Sequence, residues 1–525
     1  MATRKIFRAV RTYVTAIAVI ATAAALVFTI YLTELNMQWA TFLTGILIAS
    51  VLAMATRASR AEWIITRRTA QLRSLKDKLE QEMRLRNQAT TDHQQSLTLL
   101  QQTELSYGRL IPRQLLTLLE KESIVEVNLG DQVERKLTVM FSDIRNFTPL
   151  SESMTPRENF NFLNSYLSQM EPVVSRHRGI IDKYMGDAIM ALFTQGADDA
   201  VTGAIAMLEK LNRYNAGRQR AGYLPVRIGI GLNTGLVMIG TVGGANRMDS
   251  TVIGDAVNLT SRIEDATKTY QAPLLISQNT LYDLDNPAKY DIRFLDRIRV
   301  KGKTQPLSIY EVFNNDPVKL RDAKRVTKAR LEEAIAHYHL KEISRAVELL
   351  NQCIEAAPDD IPARIYLARC EEYLSSGQHF STGELNQHFE WREEFHIGIK
   401  KIDAAHQHML NKVNEIIATT GKVEGKVIDE IFTFLTSHHM EGKEEEELMR
   451  RYNYPFLESH LQEHKRFIEN FMLLKEEADA GTSDSHYLSF RVQILLFDWF
   501  TGHLAKADRH MGRYVLNAMQ PPAPA

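Results

Sequence analysis

Hydrophobic periodicity changes several times along the chain. From Thr12 to Thr33, and again from Leu35 to Thr56, apolar residues follow one another without a charge. Each run has about the length that crosses a bilayer as a helix, and the short connector at Glu34 predicts a transmembrane helical hairpin. Arg4, Lys5, Arg8 and Arg11 precede the hairpin, and Arg57, Arg60, Arg67 and Arg68 follow it. Basic residues on both outer flanks place both ends in the cytoplasm of a bacterial-type inner membrane, with lipid as a partner. The length of the first run, the lack of a small-residue cleavage site and the second run argue against a cleaved leader. Residues 61–106 contain neither Pro nor Gly, and Leu72, Leu75, Leu79 and Met83 recur among charges. That pattern predicts a coiled-coil stalk. Gly108 and Pro112 break it, and RLIPRQLLTLLEKES reads as a lead-in helix.

Beyond residue 112, short apolar runs alternate with helical stretches such as Pro156–His177 and Asp198–Gly217, which predicts an α/β domain. Lys136–Phe141 reads as a buried strand that delivers Asp143 to its end. Ile180–Phe193 reads as a hairpin, with Met185-Gly186 at the turn and Asp187 just past it. If these strands are neighbours, Asp143 and Asp187 converge. Such a pair repels unless a hard divalent cation, shared with substrate phosphates, lies between them. The alternative is two exposed turn aspartates. Residues 319–376 read as helical, with Ala334, Tyr338, Ala346, Leu350 and Pro358 in a tetratricopeptide-like rhythm. One or two repeats are too few for a solenoid, so the segment is expected to be a packing spacer. Trp391–Leu516 holds long amphipathic helices joined by short loops, the pattern of a four-helix bundle.

With 525 residues the chain exceeds one core. The expected organisation is multidomain: membrane helices over 1–60, stalk and lead-in helix over 61–111, an α/β domain over 112–315, a helical spacer over 316–380 and a bundle over 385–518. A net charge of -1 leaves no dominating basic surface, which argues against nucleic acid as a partner. Cys353 and Cys370 lie in a helical region without a pairing framework and fit free thiols in a reducing compartment. The 16 histidines fall mostly beyond residue 380 and suggest a second metal site. His460 and His464 are one turn apart and can share a metal; His503 is followed by Asp508, His406 follows IDAAH, and His438 ends the second helical pattern.

FSDIRNFT, KYMGDAIMALF, VRIGIGLNTG, TVIGDAVNLTSRI and VKGKTQPLSIYEV occur in this order between about residues 112 and 314. Together they closely resemble the catalytic domain of class III nucleotidyl cyclases. The resemblance implies a ferredoxin-like α/β fold, a homodimer with sites at its interface, and ATP as substrate. It implies that Asp143, Asp187 and the carbonyl of Ile144 hold two Mg2+ or Mn2+ ions, which activate the ribose 3′-hydroxyl and clamp the triphosphate. The amides of Arg145 to Thr148 are expected to cradle phosphate. Lys183 stands where adenine-selective members carry lysine and guanine-selective members glutamate. Its partner Thr251 resembles that of a bicarbonate-responsive subgroup, so bicarbonate sensitivity is a further expectation. Asn258 and Arg262 share a helix face and match the catalytic pair that positions ribose and stabilises charge on the reacting phosphate. Arg227 and Lys301 match triphosphate contacts, and Gly240–Met248 a dimer arm.

GIKKIDAAHQHML, EEEELMRRYNYP, HLQEHKRF and DWFTGHLAKADRHMGRYV resemble the hemerythrin family. That implies a non-haem di-iron centre with an open position for oxygen or another small diatomic ligand. His406, His460, His464, His503 and Asp508 match the ligands. The family's second-helix histidine position is Glu441 here, and His438 or His439 fits the helix upstream. Glu445 is the first choice for the bridging carboxylate and Glu441 the alternative. The expected whole is a membrane-bound adenylate cyclase converting ATP to cyclic AMP and pyrophosphate under an oxygen-, redox- or iron-sensing domain. The alternatives are a constitutive cyclase with a separate oxygen- or iron-binding module, a signal received by the membrane hairpin, and guanylate specificity.

Overall fold

The computed structural model describes residues 2–31, 37–107, 113–244, 247–299, 306–377, 388–420, 425–438, 442–481 and 484–519. They divide into two units, 1–110 and 111–525.

In the first unit, α1 spans Ala2–Tyr31 and α2 spans Met37–Tyr107, 71 residues without a break. Among the described residues no helix is long and apolar enough to cross a membrane. The two spans expected over residues 12–33 and 35–56 are thus not shown, and several side chains there and the connector lie outside the described residues. In α1 the Thr22 and Thr29 hydroxyls donate to the carbonyls of Ala18 and Ala25. The second stretch runs on into the charged stalk within one helix. Leu72, Leu75, Leu79 and Met83 are exposed along it. Gly108 and Pro112 lie outside the described residues.

The second unit begins with α3 (Arg113–Leu118), β1 (Gln132–Ile144), α4 (Phe147–Glu152), α5 (Pro156–Arg176), β2 (Gly179–Met185) and β3 (Ala188–Phe193). Then come α6 (Ala197–Arg220), β4 (Ile228–Gly244), β5 (Arg247–Ile253), α7 (Asp255–Tyr270), β6 (Leu274–Ser277), α8 (Gln278–Asp283), β7 (Ile292–Arg299) and β8 (Pro306–Val312). The strands form one mixed sheet in the order β2-β3-β1-β4-β6-β8-β7, with β5 paired to β4. β1 lies between β3 and β4, antiparallel to both, and β4 and β6 are parallel. Both expected hairpins form: β2–β3, and the β4–β5 arm with Gly240 opposite Thr251.

Val139 and Met140 of β1 are both fully buried, so this strand is covered on both faces. Below it α5 and α6 bury Tyr166, Met170 and Met207 against Met140, Ile189 and Ile230. A capping box at Thr155 and Glu158 starts α5. Above it Leu137, Val139, Leu192, Val237 and Ala256 form a second core. α7 packs tightly on β4 because Gly231 has no side chain; a Cβ there would fall into the backbone of Glu264. Gly231→Ala is therefore expected to destabilise the domain by about 1–3 kcal/mol and to lower turnover by displacing α7. Denaturant unfolding and a cyclase assay on the same sample check both effects.

The spacer consists of α9 (Val318–His339), α10 (Ile343–Ala356) and α11 (Ile361–Ser376). It is joined to the sheet by a buried ionic cluster. Arg293 of β7 donates to both oxygens of Asp360 at 2.7 Å and to Glu311 of β8 at 2.6 Å. Lys324 of α9 reaches Glu311 at 2.7 Å and Asp316 at 2.6 Å. Cys353 and Cys370 are buried free thiols in the spacer core.

The C-terminal region comprises α12 (Lys400–Thr420), α13 (Gly425–His438), α14 (Gly442–Arg451), α15 (Leu457–Asp479) and α16 (Ser485–Trp499). α16 continues through a π-helical segment, Phe500–Asp508, into α17 (Arg509–Met519). Leu410, Val413, Ile431, Leu435, Phe467, Phe471 and Leu496 pack from four directions into one core, as expected for a bundle. The bundle rests on the sheet through named pairs. Glu463 of α15 meets Lys136 of β1 at 2.8 Å. His510 meets Glu134 of β1 at 2.7 Å. Ser308 of β8 donates to Asp498 at 3.0 Å.

Candidate functional site

Asp143 closes β1, and Asp187 follows the turn at Gly186, whose φ of 69° suits glycine. Because Ser142 pairs with Ile189, the two aspartates meet. The Asp187 carboxyl hydrogen-bonds Asp143 and accepts the Ile144 amide. Burial, and then Asp143 alongside, push the Asp187 carboxyl up to about 7. Two carboxyls that hold a proton between them suit a divalent cation, which replaces that proton and removes the repulsion. The donor set fits Mg2+ or Mn2+.

Four charged side chains that the sequence did not single out crowd this point. Lys268 Nζ of α7 lies 3.2 Å from Asp143. It also reaches Asp265 at 3.2 Å and Glu264 at 3.5 Å. Arg145 sits 3.3 Å from Glu264. The pairs Lys268–Asp143 and Arg145–Glu264 join residues far apart in sequence, so no local signal marks them. One expectation is corrected: the Arg145 amide donates to the Arg227 carbonyl at 2.8 Å. It is committed to the sheet and is not part of a phosphate cradle. Asn146, with φ of 55°, then turns the chain into the short α4.

The base-facing and catalytic candidates stand apart from the aspartates. Lys183 on β2 lies 3.4 Å from Asp182, whose carboxyl is shifted up by burial. Thr251 is half-buried on β5. Asn258 and Arg262 are exposed on α7, with Arg262 3.8 Å from Asp265. The Arg227 side chain is exposed. Among the described residues, no hydrogen bond or ion pair joins Lys183, Asn258 or Arg262 to Asp143 or Asp187. Lys301 lies outside the described residues.

In the bundle, six of the seven expected ligands converge. His460, His464, His503 and Asp508 bring ligand atoms within 4.8 Å of one another, as do His406, Glu445 and Asp508. Asp508 belongs to both groups. Its oxygens lie 3.0 Å from His503 Nε2, 3.2 Å from His460 Nε2 and 3.7 Å from His406 Nε2. Glu445 lies 2.9 Å from His406 Nε2. His464 Nε2 faces two other ring nitrogens, at 3.1 Å from His460 and 2.8 Å from His503. Both Asp508 oxygens and Glu445 Oε2 are buried without a hydrogen bond. Converging imidazole nitrogens and orphaned buried carboxylate oxygens are a donor set that could hold metal ions, with Asp508 common to both groups. The His438 side chain, His439 and Glu441 lie outside the described residues.

The π-helix explains a spacing that an α-helix would not. At about 100° per residue, His503 and Asp508 would stand roughly 140° apart on an α-helix. Hydrogen bonds from i to i+5 widen the turn and bring both to one face. Around the cluster, Trp499 stacks on His503 at 4.0 Å between ring centroids. Glu463 lies 2.8 Å from His503 Nδ1, fixing that ring. A cavity of about 380 Å³ opens onto His406, His464 and His503 between Met409, Leu435, Ile468 and Leu504.

The family model for the adenylate and guanylate cyclase catalytic domain matches residues 130–313, and this region is a catalytic domain of that class. An adenylate cyclase of Anabaena cylindrica is 40% identical over 232 residues, covering 43% of this chain and 46% of its own length. Adenylate cyclase 1 of Rhizobium meliloti (strain 1021) is 33% identical over 184 residues, covering 34% of this chain and 27% of its own. The crystal structure of the adenylyl cyclase CyaB from P. aeruginosa is 37% identical. It covers 34% of this chain and 95% of that one, with a TM-score of 0.32. The chain spans less than half the length of these two curated relatives.

Proposed function

We propose that this protein is an adenylate cyclase, converting ATP to cyclic AMP and pyrophosphate, and that a di-iron centre in its C-terminal bundle regulates it. One observation carries the first half: strand pairing of Ser142 with Ile189 brings Asp143 and Asp187 side by side, within a stretch similar to named adenylate cyclases. The reaction is attack of the ribose 3′ oxygen on the α-phosphorus, with pyrophosphate leaving. Bound Mg2+ or Mn2+ supplies charge neutralisation and activates that oxygen. Asp143, Asp187 and the Ile144 carbonyl hold the ions. Arg262 donates to the phosphate as negative charge builds there. Asn258 orients the ribose, Lys183 donates to an adenine ring nitrogen, and Thr251 is its partner at the base. Arg227 and Lys301 bind the triphosphate.

Asn258 and Arg262 are exposed and separate from the aspartates of their own chain, which supports a site completed across a homodimer. The exposed stripe Leu72, Leu75, Leu79 and Met83 supports pairing of the stalks. Lys183→Glu should erode ATP preference, because a carboxylate accepts where adenine needs a donor. Competition assays with ATP and GTP check this, and unchanged preference would overturn the assignment. Localisation at the inner membrane rests on the apolar runs over residues 12–33 and 35–56 and their basic flanks.

For regulation, the donor set of the cluster and the apolar cavity beside it support oxygen or another small diatomic as ligand. Cyclic AMP production by the full chain, measured under air and under strict anaerobiosis with a visible spectrum of each sample, tests this. The rate should track the iron spectrum, and His464→Ala should abolish both the spectrum and the response. A response that survives His464→Ala would leave the bundle as a binding module and move the search for the signal to the N-terminal helices.

A further inference from the structure

A third cluster lies where the spacer meets the bundle. His337 near the end of α9, Glu342 just before α10 and His486 in the first turn of α16 bring ligand atoms within 4.8 Å of one another. His337 Nδ1 is 2.6 Å from Glu342 Oε2, and His486 Nδ1 is 3.6 Å from the same oxygen. The two rings meet edge to face with centroids 5.8 Å apart. Asp484, which caps α16, lies 3.8 Å from His486 Nδ1 and 3.9 Å from His337 Nε2. Glu333 stands 3.9 Å from His337 Nε2 on the other side.

A His–Glu hydrogen bond accounts for the first of these contacts only. It leaves unexplained why an imidazole from a different helix turns toward the same carboxylate as buried His337, with the Asp484 carboxylate beside it. With metal–ligand bonds of about 2.0–2.1 Å, tetrahedral ligand atoms stand about 3.3 Å apart. The observed 2.6 and 3.6 Å bracket that spacing. The side chains of Glu342 and His486 are 41% and 31% exposed, so an ion reaches the site from solvent.

We propose that His337, Glu342 and His486 form a binding site for a divalent transition ion of the Zn2+ or Co2+ type, with Asp484 or water as the fourth ligand. Imidazole and carboxylate together suit such an ion, and their neutral and anionic donors hold it without a thiol. The ion clasps α16 to the spacer. Because α16 runs directly into the π-helical segment carrying His503 and Asp508, the clasp fixes one end of the helix whose other end builds the histidine–carboxylate cluster.

The test titrates Co2+ into chelator-treated full-length protein and follows the visible bands of tetrahedral Co2+. Wild type is compared with Glu342→Gln, His486→Gln and, as a control for the other cluster, His464→Ala. Wild type should bind one more equivalent than either clasp variant, whose affinity at this site should fall at least about tenfold. His464→Ala should keep that equivalent, so failure of the di-iron reading leaves the clasp testable. Zn2+ should raise the Tm of wild type by more than that of Glu342→Gln, in which only the bundle cluster remains, and should still raise that of His464→Ala through the clasp. Equal stoichiometry in wild type and both clasp variants, or loss of the equivalent in His464→Ala alone, would overturn the proposal.

Discussion

Asp143→Ala should lower cyclase turnover by about a thousandfold or more while leaving the far-ultraviolet circular dichroism unchanged. The residue ends a strand whose core contacts, Val139 and Met140, lie several positions earlier, so removing its carboxylate empties the cation site without touching the packing. Full activity in this variant would overturn the metal assignment. The same pair sets a pH dependence. Asp187 is pushed up to about 7, first by burial and then by Asp143. Below that pH a proton occupies the position that a cation needs; above it both carboxylates are free. Apparent Mg2+ affinity should therefore rise as pH rises through about 7, with a proton released on binding. In Asp143→Ala the like-charge neighbour is gone, the Asp187 carboxyl relaxes downward, and the dependence should flatten. Calorimetric Mg2+ titrations in two buffers of different ionisation enthalpy measure both the affinity and the released proton. A pH-independent affinity in wild type would count against a carboxyl pair as the binding element.

That Asp143 and Asp187 meet was legible because their signals are local: Asp143 follows an apolar run, and Asp187 follows a Met-Gly turn. The helix lengths and bundle pattern were legible for the same reason, since periodicity is a property of neighbours in sequence. Lys268 was not, because it reads as one charge on an amphipathic helix until β1 and α7 are placed side by side. His503 and Asp508 could be named from resemblance but not from helix geometry, because five residues do not share an α-helical face and only the π-helical segment brings them together. The buried cluster of Arg293, Glu311, Asp360 and Lys324 was equally hidden, as each member alone looks like surface charge. The apolar runs near the N-terminus gave a strong pattern for membrane helices, yet no described helix meets that condition. Several side chains of those runs and the connector between them lie outside the described residues.

Lys136→Met should preserve iron content yet abolish the response of cyclase turnover to oxygen. Glu463 is shared between two elements: it lies 2.8 Å from His503 Nδ1 in the cluster and 2.8 Å from Lys136 Nζ on β1. Lys136 and His503 together hold the Glu463 carboxyl well below its usual range against the cost of burying it. A second pair, Glu134 with His510, grips the same strand two residues earlier at 2.7 Å. Asp143 is the penultimate residue of β1, so a displacement of His503 on ligand binding would have a direct path to the proposed cation site through one strand. Coupling needs an element that both sites bias, and β1 with its two clamps is such an element. Removing Lys136 leaves Glu463 without its lysine, while Asp283, 3.2 Å from Lys136, keeps Arg466 at 3.3 Å. Breaking a buried pair in this way costs about 3–5 kcal/mol, and the 21% exposure of the Lys136 side chain places this variant toward the lower end. Adding Glu463→Gln to Lys136→Met should recover part of that loss in denaturant unfolding, because the stranded charge is gone. A Lys136→Met protein that still responds to oxygen as wild type does would show that the signal bypasses β1. Loss of iron together with loss of response would instead make Lys136 a support of the cluster rather than its link to the cyclase. The visible spectrum of the purified variant separates these two results.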